Sequence, residues 1–546
     1  MAKPLTYQPL PDFGVNGLNT QNNPSTLDPS WLTKADNVVL RESGRISLRK
    51  GFKQKVVPTG TAIGSLIEHK DQGTNKIFAS YGTSIYTMDF TSPNAAFPSS
   101  GADVKHTVAN SSGNWQFVNF NERLHCFHTG VIPQRYDGSL GSGVKWTAHA
   151  TDPASIATLF DPSCGMGFYG RIWCGGVAEA KDVVYYSNLL DGDDWTGGDT
   201  GLIDLAKVWG TDEVVAIAPY FGKLIIFGKN NIAIYNSPTV VGSLALDEVI
   251  SGIGCVSRDS VQAIGDDLVF LSETGLRSLA RTTEKDKLPL MDLSINIKDT
   301  LIRNIGNSTN VKSVYVENEG IYIMSFVDNN VNYVFDFKHI TPNQVPRITT
   351  WTFDDDREPS SMINTKLYSG LLVGQKDGSI AGYEGYFDTD LAWVDSAASY
   401  TNDAFTADIS SIWIPMGETM SASLLKRMML TLEGGSGATL GIKWYKDFSI
   451  NPSATTIINL APTTTGTPAL WGASSSLYGT TSVSHTHVAA THPSNSTYTP
   501  VYGLEEYKTA LTGSAKHLKL NMAIVSNGYD ASIQDLAILH KQGKIR

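Results

Sequence analysis

The chain has 546 residues, four cysteines and a formal charge of −11, from 42 Lys and Arg against 53 Asp and Glu. That length exceeds one ordinary core and calls for two or three domains, while the acidity has the wrong sign for a non-specific grip on nucleic acid. Cys126, Cys164, Cys174 and Cys255 show no CxxC spacing, which argues against a disulfide framework or a zinc module and leaves four free thiols, mostly buried.

Fifty Gly, 22 Tyr, 20 Phe and 11 Trp fit a turn-rich β protein better than a helical one. The start, "MAKPLTYQPLPDF", has no apolar centre for a signal peptide, and no run reaches the 18 apolar residues of a membrane span. Synthesis in a cytosol and no membrane span are expected.

Residues 1–55 read as an arm: "FGVNGLNTQNNPSTLDPSWLTKADNVVLRESGRISLRKGF" runs from Phe13 to Phe52. Beyond it one pattern recurs: strand, small polar turn, strand. It stands as "IFASYGTSIYTMD" at Ile77, "HCFHTGVIPQRYDG" at His125, "LIIFGKNNIAIY" at Leu224, "VFLSETGLRSLA" at Val269 and "LLVGQKDGSIAGYEG" at Leu371. Two looser copies start at Tyr169 and Val311. The spacing, roughly 40 to 50 residues, is that of four-stranded propeller blades. The expectation is an all-β fold with a β-propeller of about six or seven blades over residues 56–390. In Leu224 to Tyr235 the Asn230-Asn231 pair suggests a primed hairpin turn with positive φ.

From about Thr401 the texture changes. In His517 to Ile524, Leu518, Leu520, Met522 and Ile524 alternate with polar or small residues, as in a half-buried strand. Residues 391–546 are expected to form a β-sandwich that recruits part of the arm. The Ser/Thr-rich residues 461–500 should protrude from it as a loop.

Candidate sites are few. His485, His487 and His492 in "SHTHVAATH" could close a metal site but lie in the expected loop without a flanking carboxylate or Cys, so no metal is expected there. His125 and His128 lie three apart on a strand, point to opposite faces and read as structural. "SNLLDGDDWTGGD" fits neither the Asp-box of sialidases nor an EF-hand loop and reads as a turn capped by Asp side chains. No catalytic motif appears, so neither enzyme activity nor a cofactor is expected.

The Gly-Leu-Asn opening, the "DNVVLRESG" segment and the "GRISLRKG" close resemble the start of tail nozzle proteins of short-tailed bacteriophages, also called tail tubular protein B or packaged-DNA stabilisation proteins. The C-terminal "GSAKHLKLNMAIVSNGYDASIQDLAILHKQGKIR" is similar to phage tail proteins as well. The resemblance covers both ends and the rhythm of the middle. It implies a structural virion protein of the tail, a homo-oligomeric ring, usually of six copies, below the portal and adaptor. The ring conducts genomic DNA, retains it until infection and neighbours tail fibre or spike proteins. Under that reading Asp191, Asp193, Asp194, Asp354, Asp355 and Asp356 are candidates for an acidic channel or loop, with Arg45, Arg49 and Lys50 as the competing basic lining. The alternative from another class is a propeller glycan-binding adhesin or glycosidase on a tail; a host-cell propeller scaffold is a third.

Overall fold

A computed structural model describes residues 5–41, 45–88, 96–236, 241–280, 292–307, 310–353, 356–368, 370–386, 388–394, 399–417, 422–435, 438–460, 502–526 and 528–542. The loop expected at 461–500, with His485, His487 and His492, lies outside the described residues, as do Asp354 and Asp355.

The run Leu224–Phe227 shows why blades form. All four side chains are buried, because alternate residues face opposite neighbours: Leu224 and Ile226 pack against Trp173 and Val184, while Ile225 and Phe227 pack against Leu268 and Phe270. Such a strand is stable only with a sheet on each side, and a closed ring of sheets supplies both.

The fold is a propeller arrangement of six blades and one further sheet that closes the ring, joined to a second sheet region. Blade 1 comprises Ile63–Asp71, Thr74–Tyr81, Ser84–Met88 and Lys105–Thr107; blade 2, Gln116–Phe120, Arg123–Phe127, Gln134–Tyr136 and Trp146–Ala148. Blade 3 comprises Cys164–Phe168, Arg171–Val177, Ala180–Tyr186 and Gly201–Asp204; blade 4, Val214–Tyr220, Lys223–Gly228, Asn231–Asn236 and Ala245–Ser251. Blade 5 has three strands, Gln262–Ile264, Asp267–Ser272 and Gly275–Ser278. Blade 6 comprises Pro359–Thr365, Gly370–Gln375 and Ile380–Tyr383 and takes its outer strand, Phe52–Val56, from the arm. A four-stranded meander, Val311–Val316, Ile321–Phe326, Val331–Ile340 and Pro346–Trp351, stands between blades 5 and 6 and completes the ring.

That meander does not stop at the propeller. Its sheet continues through Gly17–Leu18 and Trp31–Asp36 of the arm into Thr406–Ser411, His517–Val525, Thr439–Lys446 and Ala454–Asn459, and with Ile414–Pro415 paired to His517–Val525 it has eleven strands in all. Gly17 pairs with both Ile348 and Trp31; its φ is +78° and a Cβ there would lie 2.7 Å from the Ile348 carbonyl oxygen, so the crossing admits only glycine. A second sheet of seven strands, which includes Val38–Leu40, Ile46–Leu48, Ser532–Gln542, Ser423–Gly435 and Tyr502–Ala510, faces the continuation across one large apolar cluster.

The Asn230-Asn231 turn differs from its expected form. Neither Asn has positive φ. Instead the Asp212 carboxylate accepts hydrogen bonds from the Lys229 and Asn230 amides, both 3.0 Å, and from Asn231 Nδ2, 2.8 Å. A side chain from the preceding loop does what a primed turn would have done. All four cysteines are buried and free. Among the described residues no helix is long and apolar enough to cross a membrane.

Candidate functional site

The turn after Tyr186 is Asp-capped. Asp194 Oδ1 accepts from the Thr196 and Gly197 amides, both 2.9 Å, and its Oδ2 accepts from Asn188 Nδ2, 2.9 Å; these bonds hold its carboxyl below the usual range. Asp191 Oδ1 accepts from the Asp193 amide, 3.1 Å. The consequence is that Asp193 turns inward and is buried, with Trp195 beside it.

Asp193 meets three blade-2 residues, Arg123, His125 and Arg135, and His149 from the loop that follows. Its Oδ2 is bonded by Arg135; its Oδ1 lies 3.6 Å from His125 Nδ1 and 3.5 Å from His149 Nε2, and those two nitrogens are 3.0 Å apart. The three separations are close to the roughly 3.3 Å edge of a tetrahedral site with bonds of about 2.0 Å. The hydrogens decide otherwise. Trp195 Nε1–H, a donor only, points at His149 Nδ1 from 3.1 Å, so that nitrogen holds a lone pair and the ring proton sits on Nε2, facing the other two groups. His149 Nε2–H then donates to His125 Nδ1. The arrangement is a hydrogen-bond relay, Trp195 to His149 to His125, and the Arg135 and Arg123 guanidinium groups around Asp193 oppose a further cation.

Both imidazoles are held neutral. Burial, then the Arg135 and Arg123 charges, push His125 down to about 3. Burial, then His125 and Arg135, push His149 well below the ordinary value. Gly192 packs on the ring: a Cβ there would lie 2.7 Å from His125 Cε1. His128 faces elsewhere, its Nε2 accepting from the Ser112 amide at 3.0 Å. Nothing in the sequence linked His125 to His149 and Asp193, because the contact is made between neighbouring blades.

The propeller axis is a second polar centre. Lys312 of the meander, almost fully buried, donates to Asp259 Oδ2, 2.7 Å, and to Asn114 Oδ1, 2.6 Å. Arg258 reaches across the ring to the carbonyls of Asn114, 3.0 Å, and Ser163. Burial lowers the Lys312 pKa despite Asp259; Asp259 itself, against the upward push of burial, is held down by Lys312 and Arg258. A funnel of about 230 Å³ lined by Trp115, Gln116 and Gln262 opens beside this bridge, which ties blades 2 and 3 to blade 5 and the meander.

The basic residues considered for a channel are committed inside the chain. Arg49 is fully buried: Nε donates to Asn37 Oδ1, 2.8 Å, Nη2 to the Thr352 carbonyl, 3.2 Å, and the guanidinium lies 4.2 Å from the Phe405 ring centroid. Arg45 pairs with Glu433, 2.6 Å, and Lys50 with Glu319, 2.7 Å. Of the acidic candidates, Asp356 is exposed, Asp191 and Asp194 are half-buried, and Asp193 is turned into the blade interface.

No family profile and no curated protein matches the chain. Among solved structures it is similar to the WD40 domain of Pan2 from Neurospora crassa, with 7% identity, a TM-score of 0.38, and coverage of 61% of this chain and 96% of that one.

Proposed function

We propose that the chain is a structural subunit of a short phage tail, a nozzle protein whose copies form a ring that retains packaged DNA and conducts it at infection. The observation that carries this reading is where the nozzle-like N-terminal residues fall. Gly17, Asn37 and Arg49 sit at the crossing of arm, meander and sandwich, and Asn37 alone bonds Thr352 Oγ1 at 2.7 Å, the Thr406 carbonyl at 2.9 Å and Arg49. Sheet continuity at that crossing makes propeller and sandwich one stiff body, as a wedge in a closed ring requires.

The Arg258 bridge across the propeller axis supports a passage for duplex DNA in the middle of the ring, not through any single propeller. Net acidity suits a wall along which DNA slides hydrated. Six copies, docked on the adaptor below the portal and adjoining fibres or spikes, are the assembly in question. Electron microscopy of particles carrying a tagged chain tests it: six copies in a ring around the tail axis are expected, and absence from the tail, or one copy per particle, overturns it.

A further inference from the structure

The turns joining the first two strands of blades 1 to 4 are of one kind. Consecutive positive φ values occur at Gln72 and Gly73 (45° and 86°), Asn121 and Glu122 (48° and 60°), Tyr169 and Gly170 (48° and 71°), and Phe221 and Gly222 (45° and 75°). This is the primed hairpin geometry, which favours Asn, Asp or Gly at its first central position. Blades 3 and 4 place bulky aromatic residues there, where a Cβ is strained, and Phe221 remains 71% exposed. Leu190, exposed and also at positive φ (58°), joins them: its amide donates to the Gly170 carbonyl, 2.6 Å. Tyr169 Oη reaches the Gly222 turn, so the four exposed side chains Tyr169, Leu189, Leu190 and Phe221 belong to adjoining turns. Within the chain each ring meets one neighbouring aromatic, Tyr169 on Phe168 and Phe221 on Tyr220, with centroids 4.2 and 4.7 Å apart, and Asn would suit the backbone at both positions better.

Carboxylates rim this patch. Glu122 and Asp266 are exposed and Asp191 is half-buried beside Leu190; Lys223 is paired with Asp247 at 2.7 Å. The sandwich carries a counterpart of opposite charge. After Thr439–Lys446 the chain turns through Asp447 and Phe448, at φ 48° and 64°; Phe448 packs on Trp413 and His517, with centroids 4.9 and 4.8 Å apart, and Ile450 beyond it is 90% exposed. Lys446, Lys516 and Lys519 surround the knob, while the Asp447 carboxylate is occupied by the Lys516 and His517 amides.

We infer that the occupant of the Tyr169/Phe221 patch is a second copy of this chain, which inserts its Phe448/Ile450 knob there. The two surfaces differ, their charges are opposite, and blades 3 and 4 stand across the ring from the meander and blade 6, where the sandwich is rooted. Such a contact is head-to-tail and repeats in one direction. Only its closure into a ring rests on the function proposed above.

The test is the full chain carrying Phe221→Cys and Ile450→Cys together, oxidised mildly in solution and in tail particles; the four native thiols are buried. A disulfide-linked ladder beyond dimer is expected from the double variant and none from either single one. In parallel, Tyr169→Asn with Phe221→Asn should leave Tm unchanged or raised and weaken self-association by about tenfold or more in sedimentation. No ladder in either setting, or undiminished association of the Asn variant, overturns the inference. Tail rings without a ladder would sink this contact and leave the nozzle reading; a ladder from a chain absent from tails would do the reverse.

Discussion

The propeller and the sandwich bury apolar surface in different ways. Between blades the interior is divided: Trp173, Val184, Leu224 and Ile226 form one cluster, Phe227, Leu268 and Phe270 another, Phe127, Phe160 and Ile172 a third. In the sandwich one cluster takes in Leu10, Phe13 and Leu18 of the arm, Leu271 of blade 5, Tyr322 of the meander and Leu440, Leu520 and Met522 of the sandwich strands. A blade therefore depends on its two neighbours, as in repeat proteins, whereas the sandwich depends on segments hundreds of residues apart. Damage in the first should stay local; damage in the second should spread.

The largest expected effect follows from striking the joint. Arg49→Met keeps the bulk of the side chain but leaves Asn37 Oδ1 and the Lys50 and Thr352 carbonyls short of a buried donor. A loss of about 3 kcal/mol is expected. In urea the signal of Trp444 and Trp351, which belong to strands of the shared sheet, should fall before that of Trp173 in blade 3. Phe227→Leu, at the interface of blades 4 and 5, should cost less than about 1.5 kcal/mol and leave the Trp444 transition in place. If both variants shift one common transition, the contrast between local and spread cores is broken.

The same contrast decides what could be read from the sequence. Blades were legible because a hairpin writes itself in about 12 consecutive residues, and alternate-face burial leaves unbroken runs such as Leu224–Phe227. Contacts between segments were not. Arg49 reads as a free basic residue in "SLRKG", yet it is the most buried cation at the joint, because its partners Thr352 and Phe405 lie some 300 positions on. Asp193 reads as one of three acids in a turn, yet only it points inward, since Asp191 and Asp194 are used up on turn amides. The Asn230-Asn231 pair matched a composition rule for a geometry that its turn does not adopt, while Tyr169 and Phe221 adopt it against the rule.

The His125/His149 relay tests whether a blade interface carries its own pH dependence. Each imidazole is neutral when folded, with His125 down at about 3, and each regains an ordinary value near 6.5 when unfolded. Between those values the unfolded chain binds more protons, so stability is lost as pH falls from about 6.5 toward 3, with a slope of about 1.4 kcal/mol per pH unit for each histidine. Asp193, Arg135, Arg123 and His69 face the pair and set its field. His149→Gln keeps an acceptor for Trp195 and removes one proton site. Its stability should fall less steeply than that of the parent chain between pH 6.5 and 4.5, by about that slope, in chemical denaturation at several pH values. Parallel profiles would mean that the relay is not a distinct titrating unit of the blades.

The smallest effect sharpens the comparison most, because it is confined to one turn. Asp212→Ala removes an acceptor shared by the Lys229 and Asn230 amides and Asn231 Nδ2, at the edge of blade 4 and away from the sandwich. About 1 kcal/mol should be lost, with faster hydrogen exchange at Lys229 to Asn231 and unchanged protection in Ser423–Gly435. Asn230→Gly makes the argument specific to mechanism. In a primed turn glycine would be neutral or favourable, but here φ is not positive, so glycine adds only unfolded-state freedom and should cost up to about 1 kcal/mol. Stabilisation by that change would show that the turn samples the primed form after all. Exchange spreading from Asp212→Ala into the sandwich would show that the blades are not the independent units their separate clusters imply.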